Sequence, residues 1–438
     1  MKNSNIVNLV TSRSAKDLSL VITGNVSAAG LGFLAVLLIS RELSVSDFGL
    51  FNMALSIMII VSRLAELGME APIVKFTSSY LAANRAADAD SVLRMAFRIR
   101  LATALIFAVL TFIAADMIST RLYDYPDLAP LIKLVSSGVL GIAVFGYIRS
   151  ALHAYQLFRR SVMLQLLVDL AKFLAVAAMI FLFRGIDTFS AVSAFVFAPL
   201  LGVLLGFREL RGKLFPEKIV VKNLLSRFVS YSKWRFVSNI CVTVLPYIGI
   251  FMIAKMADSK AAGIYGLAVN LTLIFPIITS SLVTVLLPRV SRFRQADEFR
   301  YYLKVALKVS LYIAIAALPM LFISDKIIPF FFGERYLETV PIFNWLLFSA
   351  IATATNGTIR VALFSIEKPN VVASVDTLKI LLMASGCYIL IPLFGTLAPA
   401  ILALILNICA IFFTAVYVFR HISKGVIAVE EEEFVQPY

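Results

Sequence analysis

The sequence predicts an all-α, polytopic membrane protein: twelve transmembrane helices in two parallel-repeat six-helix lobes around a central cavity. Three observations predict it. Hydrophobic residues make up 61% of the 438 and charged residues 15%, at a mean hydropathy of +0.92, whereas soluble domains run at about 45–50% apolar and about 25% charged. The apolar residues fall in continuous runs long enough to cross a bilayer, which takes roughly 20 residues. The polar–apolar alternation of a β-barrel, in pieces of ~10 residues, is missing. Finally, the second half of the chain repeats the first.

Hydropathy and polarity place the spans at 18–40, 47–69, 95–117, 128–151, 161–183, 187–207, 231–254, 261–287, 302–323, 339–363, 370–392 and 395–418. The first, beginning at Leu18, is too long for a signal-peptide core and ends in Ile39-Ser40-Arg41 rather than a small-residue cleavage site, so it reads as an uncleaved span. Ser44 and Asp258 stand just before the second and eighth spans, as N-cap residue types do, and Asp47 adds a capping box with Ser44. Gly49 and Gly263 permit close backbone approach, and Gly202-x-x-x-Gly206 reads as a helix-packing surface. Pro246, Pro276 and Pro319 interrupt spans seven, eight and nine, where each removes a backbone hydrogen bond and bends its helix. Cys241, Cys387 and Cys409 lie in apolar runs and read as small core residues. The domains follow: a lobe over 1–207, a cytoplasmic linker over 208–230, a second lobe over 231–418 and a polar tail over 419–438.

Orientation comes from Lys and Arg in alternate loops. One side carries 29 and the other 7 of the 40, which places both termini in the cytoplasm. The formal charge of +14 is thus topological, and no nucleic-acid partner is expected. His153 and His421 match no metal-ligand spacing, and the chain has no Walker loop, no zinc motif and no Ser/His/Asp set. No cofactor is expected, and the chain does not read as an enzyme.

The repeat is the most informative feature. Arg41 to Phe51 matches Lys255 to Tyr265 at an offset of 214, which also pairs Asn25 with Asn239. Tyr125-Pro126 to Leu131 matches Tyr336 to Ile342, and Gly146 to Leu152 matches Gly357 to Leu363, both at 211. Val168-Asp169 to Lys172 matches Val375-Asp376 to Lys379 at 207. Six spans per copy keep both copies in the same orientation, so the lobes are parallel repeats about an axis along the membrane normal.

Charges inside spans are expensive and mark function. Arg63 and Glu66, Asp169 and Lys172, and Asp376 and Lys379 are each spaced i, i+3 and share a helix face. One reading is self-neutralisation within each pair; the other is that they line a cavity, which better explains why both lobes repeat the pattern. Arg63, Arg149, Lys172, Arg360 and Lys379 fall toward the cytoplasmic half of their spans. Facing the gap between lobes they form a cationic chamber for an anionic headgroup. For Arg149 and Arg360 the rival is snorkelling to the inner interface.

Gly24-Asn25, the run Ser40-Arg41-Glu42-Leu43-Ser44 through Phe48-Gly49-Leu50-Phe51, Pro72, and the second-half echo Gly263-Ile264-Tyr265 with Pro288 resemble the Wzx-type polysaccharide transporter family. The likeness covers essentially the whole chain in length, span count and six-plus-six repeat. It implies the multidrug/oligosaccharidyl-lipid/polysaccharide exporter fold and the flipping of undecaprenyl-diphosphate-linked oligosaccharide repeat units across a bacterial inner membrane for O-antigen, capsule or exopolysaccharide assembly. It also implies a polysaccharide polymerase and a chain-length regulator as partners besides membrane lipids. On that reading Arg63, Lys172 and Lys379, with Arg149, Arg360, Asn25 and Asn239, hold the diphosphate or sugars, and Glu66, Asp169 or Asp376 couple a proton or cation.

Three alternatives stand beside it. A cation-coupled multidrug exporter of the same superfamily usually carries an acidic residue deep in its first helix, and Leu18 to Ser40 contains none. Flippases for lipid-linked peptidoglycan precursors usually have two further C-terminal spans, against the twelve counted here. A non-transporting scaffold of a polysaccharide assembly complex needs no charged interior.

Overall fold

The computed structural model describes residues 13–210, 224–276, 279, 296–365 and 369–423, and all the regular structure among them is helical. The first half holds α1 (Arg13–Glu42), α2 (Val45–Glu66), the short α3 (Glu70–Ala82), α4 (Ala86–Asp116) with a π-helical turn Met117–Tyr123, α5 (Leu128–Ala154), α6 (Phe158–Phe181) and α7 (Thr188–Glu209). The second holds α8 (Leu224–Met256), α9 (Ser259–Thr272), α10 (Ala296–Ala317), α11 (Pro319–Phe332), α12 (Thr339–Ser365), α13 (Pro369–Phe394) and α14 (Ala398–Ser423). Ten stretches among the described residues are long and apolar enough to cross a membrane; the last, Pro369–Arg420, is two helices divided by a 3-10 turn at Gly395–Leu397. The expected eighth span, 261–287, runs past α9 and lies partly outside the described residues, as do most of the linker and the polar tail. The molecule is a multi-pass membrane protein. Leu182, Phe322 and Phe412 are 76%, 80% and 72% exposed, which suits acyl chains and not water.

Helix starts follow the caps. The Ser44 hydroxyl accepts from the Asp47 amide at 3.1 Å and donates to its carboxylate at 2.6 Å, and Asp258 accepts from the Ala261 amide at 2.6 Å. Asp187 does the same for α7 with Ser190 at 3.1 Å, and that hydrogen bonding holds its carboxyl below the usual range.

Four expectations change. Residues 70–82 form a helix rather than a loop, with Pro72 in the first turn, where it removes no needed donor. α4 starts at Ala86 rather than at 95, so Arg94 lies on a helix and not in a loop. Span nine does not bend through Pro319 but breaks at Leu318, with the proline opening α11. Cys409 is exposed on α14 between the exposed Ile408 and Phe412, so it is not a core residue, whereas Cys241 and Cys387 are buried.

Packing obeys the repeat. α1 lies on α6 as α8 lies on α13, and α5 on α7 as α12 on α14. Gly202 closes on Phe145 and Val168, and Gly206 on Ile148, so the small-residue pair serves packing within the half.

The halves meet where α2 crosses α9. A Cβ on Gly49 would overlap the Ser259 carbonyl, and one on Gly263 the Val45 carbonyl, so only glycines let these backbones touch. Asn270 donates to the Asn52 side chain at 2.8 Å, and Ser46 hydrogen-bonds Ser259. Two repeat-related tyrosines flank this crossing: the Tyr125 hydroxyl donates to the Ala254 carbonyl at 2.9 Å, and Tyr336 to the Ser40 carbonyl at 3.3 Å. Burial, and Asp258 nearby, raise the Tyr125 hydroxyl's pKa and keep it a donor. Arg41 donates to the Phe330 and Phe331 carbonyls (2.6 and 2.5 Å), and Arg335 answers onto the Ser40 and Arg41 carbonyls (2.6 and 2.5 Å). Phe48, Phe51, Tyr265 and Tyr336 belong to one buried core that runs through both halves. At the other end, Phe76 of α3 stacks on Phe228 of α8 at 5.2 Å, and Gly68, at φ +66°, passes against the Phe236 backbone.

Candidate functional site

A charge buried in an apolar bundle persists only with partners, so the polar interior is best followed contact by contact. In the first half, Arg149 on α5 donates to the Gln165 side-chain oxygen at 2.9 Å. The Gln165 amide nitrogen donates to Asp169 at 2.6 Å, and Lys172 donates to the other Asp169 oxygen at 2.6 Å. Lys172 also lies 4.8 Å from the centre of the Phe195 ring, a favourable cation–π contact. Ser161 extends the chain, 3.5 Å from Arg149 and 3.0 Å from His153.

A second cluster lies at the end of α2. Glu66 receives Arg63 at 2.6 Å and Arg100 at 2.5 Å, and Arg100 also donates to the Ala143 and Glu66 carbonyls at 3.1 and 3.3 Å. The Arg100 side chain is 1% exposed and that of Arg63 42%. Gly146 makes room for the pair: a Cβ there would stand 2.8 Å from the Arg100 guanidinium.

In the second half, Arg360 on α12 donates to Asp376 on α13 at 2.5 Å, and Ser238 on α8 donates to the same oxygen at 2.6 Å while accepting from Arg360 at 3.0 Å. Lys379 donates to the Asn407 side-chain oxygen at 2.6 Å, and the Asn407 amide is held by the Ser349 hydroxyl at 2.9 Å. These side chains border a cavity of about 470 Å³, whose polar wall includes Arg360, Asp376, Lys379, Ser238, Asn239 and Asn407 and whose apolar wall includes Leu245, Pro246, Val269 and Met383.

The structure brings the expected residues together in groups. Arg360, Lys379, Asn239 and Asp376 border the cavity of the second half. Arg149, Asp169 and Lys172 are joined in the first, and Arg63 and Glu66 form the α2 cluster. Asn25 is half-buried on α1, and no hydrogen bond joins its side chain to the other described residues. Arg149 also lies within electrostatic reach of Arg63, Glu66 and Glu70, which brings the first-half chain and the α2 cluster together. Arg149 and Arg360 turn inward onto polar partners instead of snorkelling. The i, i+3 pairs form at Arg63–Glu66 and Lys172–Asp169 but not at Asp376–Lys379, because Arg360 and Ser238 already hold the carboxylate.

Sequence reasoning missed Gln165, Asn407, Ser238 and Arg100. Gln165 stands i, i+4 from Asp169 on the same helix face, and Asn407 is a lone amide in an apolar span; both were readable signals. Arg100 lies inside the expected third span, but its partners Glu66 and Ala143 come from other helices, which spacing along the chain does not show. Chemically, the second-half cavity offers a guanidinium, an ammonium, a carboxylate, three carboxamides and hydroxyls in one apolar-walled space, a set suited to polar groups such as sugar hydroxyls and oxyanions.

Residues 14–294 match the model of a family described as polysaccharide biosynthesis protein. The lipopolysaccharide biosynthesis protein WzxC of Escherichia coli K12 is 22% identical over 333 residues, covering 72% of this chain and 63% of that protein. A putative O-antigen transporter of Shigella flexneri is 22% identical over 229 residues, 51% of this chain and 54% of its own. The matches thus span less than two thirds of the length of both relatives. Among solved structures, an inward-facing multidrug resistance MATE family transporter of the MOP superfamily superposes with a TM-score of 0.77 at 12% identity, covering 91% of this chain and 96% of that one. The lipid II flippase MurJ, in an inward closed conformation, gives 0.73 at 15% identity, with 93% and 91% covered. At these identities the likeness is one of fold alone.

Proposed function

From the premise that the chain belongs to the polysaccharide biosynthesis protein family, we propose that it is a flippase for undecaprenyl-diphosphate-linked oligosaccharide repeat units. It acts in a bacterial inner membrane, with both termini in the cytoplasm, and serves O-antigen, capsule or exopolysaccharide assembly. Two lobes, 1–207 and 231–418, joined by the linker 208–230, alternate access to the two leaflets and draw on an ion gradient. The lipid tail stays in the bilayer while the sugar and diphosphate pass through the protein. A polymerase and a chain-length regulator would receive the product.

One observation carries this reading: each half holds an Arg–Asp–Lys set at repeat-related positions inside the bundle, Arg149, Asp169 and Lys172 in one and Arg360, Asp376 and Lys379 in the other. Cations kept at that cost suit an anionic cargo, and carboxylates beside them suit ion coupling. A membrane scaffold needs neither. The test replaces Arg63, Lys172 and Lys379 by Gln, singly and together, and measures translocation of lipid-linked oligosaccharide at matched protein levels. Each single change is expected to slow transport and the triple variant to stop it. Full transport by all four variants would overturn the reading.

A further inference from the structure

At the end of the bundle where α1 and α11 finish, a charged contact joins the halves beside the buried glycine crossing. Arg41, in the last turn of α1, donates through Nε to the Phe331 carbonyl at 2.5 Å and through a terminal nitrogen to the Phe330 carbonyl at 2.6 Å, both in the last turn of α11. Arg335, just past α11, donates through one nitrogen to the Ser40 and Arg41 carbonyls at 2.6 and 2.5 Å, in the last turn of α1. Each half thus caps the C-terminus of a helix of the other. Carbonyls there lack intrahelical partners, and a cation meets the negative end of the helix dipole. Phe33 of α1 and Phe332 of α11 meet edge to face alongside, at 6.0 Å. The repeat does not reproduce this arrangement. Lys255 stands where Arg41 does and Asp124 where Arg335 does, yet among the described residues no ion pair or side-chain hydrogen bond joins either to the opposite half.

We propose that Arg41 and Arg335 form a reversible clasp that holds this end of the two halves shut and is released when the end opens. Both side chains are exposed, so water takes over each donor and each carbonyl when the contact breaks. Charge-assisted hydrogen bonds in that setting bias two states without fixing either, whereas the backbone contact of Gly49 with Gly263 carries no charge to release. On the orientation proposed above, this end faces away from the cytoplasm. That the clasp opens in a transport cycle rests on the proposed function; that it holds the halves together does not.

The experiment uses the full chain in lipid nanodiscs, with Cys409→Ser removing the exposed thiol and spin labels attached at Gly185→Cys and Glu338→Cys. Residue 185 lies between α6 and α7 and residue 338 just before α12, one in each half and both at this end. A Cβ at residue 185 meets no other atom within 4 Å. Pulsed electron–electron resonance reads the distance between the labels. Arg41→Gln and Arg335→Gln should each raise the fraction at a longer distance about tenfold, and the double variant should raise it further. Arg41→Lys, which keeps the charge but has one nitrogen where two are used, should fall between Arg41→Gln and the unaltered protein. Lys255→Gln, at the position related to Arg41 by the repeat, should leave the distances as they are. Melting temperatures near that of the unaltered protein would show that an open end is not a lost fold. Distances unchanged in both single variants and the double one, or changed as much by Lys255→Gln, would overturn the clasp. Unchanged distances beside transport lost in the triple Gln variant of Arg63, Lys172 and Lys379 would leave the flippase reading standing. Longer distances beside full transport in that triple variant would leave the clasp standing and remove the flippase reading.

Discussion

In the first half Asp169 takes the lysine of its own helix, and Arg149 is left to the amide of Gln165. In the second, Asp376 takes the arginine of the neighbouring helix, and the lysine is left to the amide of Asn407. Two copies of one charge set thus adopt opposite pairings, each with one cation on a carboxylate and one on a carboxamide. The neighbours explain the difference. By the repeat offsets, Gln165 corresponds to Val372 and Ser238 to Gly24. The first half has a glutamine able to bridge Arg149 to Asp169 and lacks the serine. The second has a serine that joins Arg360 to Asp376 and a valine where the bridge would stand. A repeat therefore transmits which charges are present, and the unrepeated polar residues around them decide which charges meet.

The largest test of this contrast is truncation of each half's most committed carboxylate. Glu66→Ala leaves Arg100 enclosed without a counter-ion and should cost about 3–5 kcal/mol of stability, seen as loss of monodisperse protein in a thermal size-exclusion assay. Asp376→Ala leaves Arg360, whose side chain is 15% exposed, with the Ser238 hydroxyl still beside it, and should cost about 1.5–3 kcal/mol. Equal losses would erase the distinction between an enclosed and an open cluster. A smaller effect, about 1–3 kcal/mol by the cost of an unmade buried hydrogen bond, is expected for Gln165→Leu in the same assay, whereas Val372→Leu at the repeat-related position should stay near the unaltered protein. The smallest concerns the caps: Ser44→Ala and Asp258→Ala should each cost ~1 kcal/mol, and a clear inequality between them would show that the repeat is broken at the helix starts as well.

Much of the scaffold was legible in the residues. Continuous apolar runs placed most helices, and the 214-residue offset found Gly49 and Gly263, which prove to be the point where the halves touch. A close approach needs a missing side chain, and that leaves a mark in sequence. The site was legible only in part. Asp169, Lys172, Asp376 and Lys379 announced themselves as costly charges in apolar surroundings, but their pairing depends on which third side chain reaches them first. Arg360 comes to Asp376 from another helix, 16 residues away in the chain, and helical spacing carries no information about such an arrival. Arg100 escaped for the same reason, since Glu66 reaches it from a helix 34 residues away in the chain.

The tyrosine braces beside the glycine crossing end on main-chain oxygens, those of Ser40 and Ala254. A backbone oxygen is present whatever side chain its residue carries, as the serine on one side and the alanine on the other already illustrate. That face of the protein is consequently anchored by atoms that substitution at positions 40 and 254 does not remove, and specificity there falls on the donors, the two phenolic hydroxyls together with the Arg335 guanidinium that shares the Ser40 oxygen. Among the described residues the Ser40 oxygen receives two such side-chain donors and the Ala254 oxygen one, so the two braces are related by the repeat without being equal.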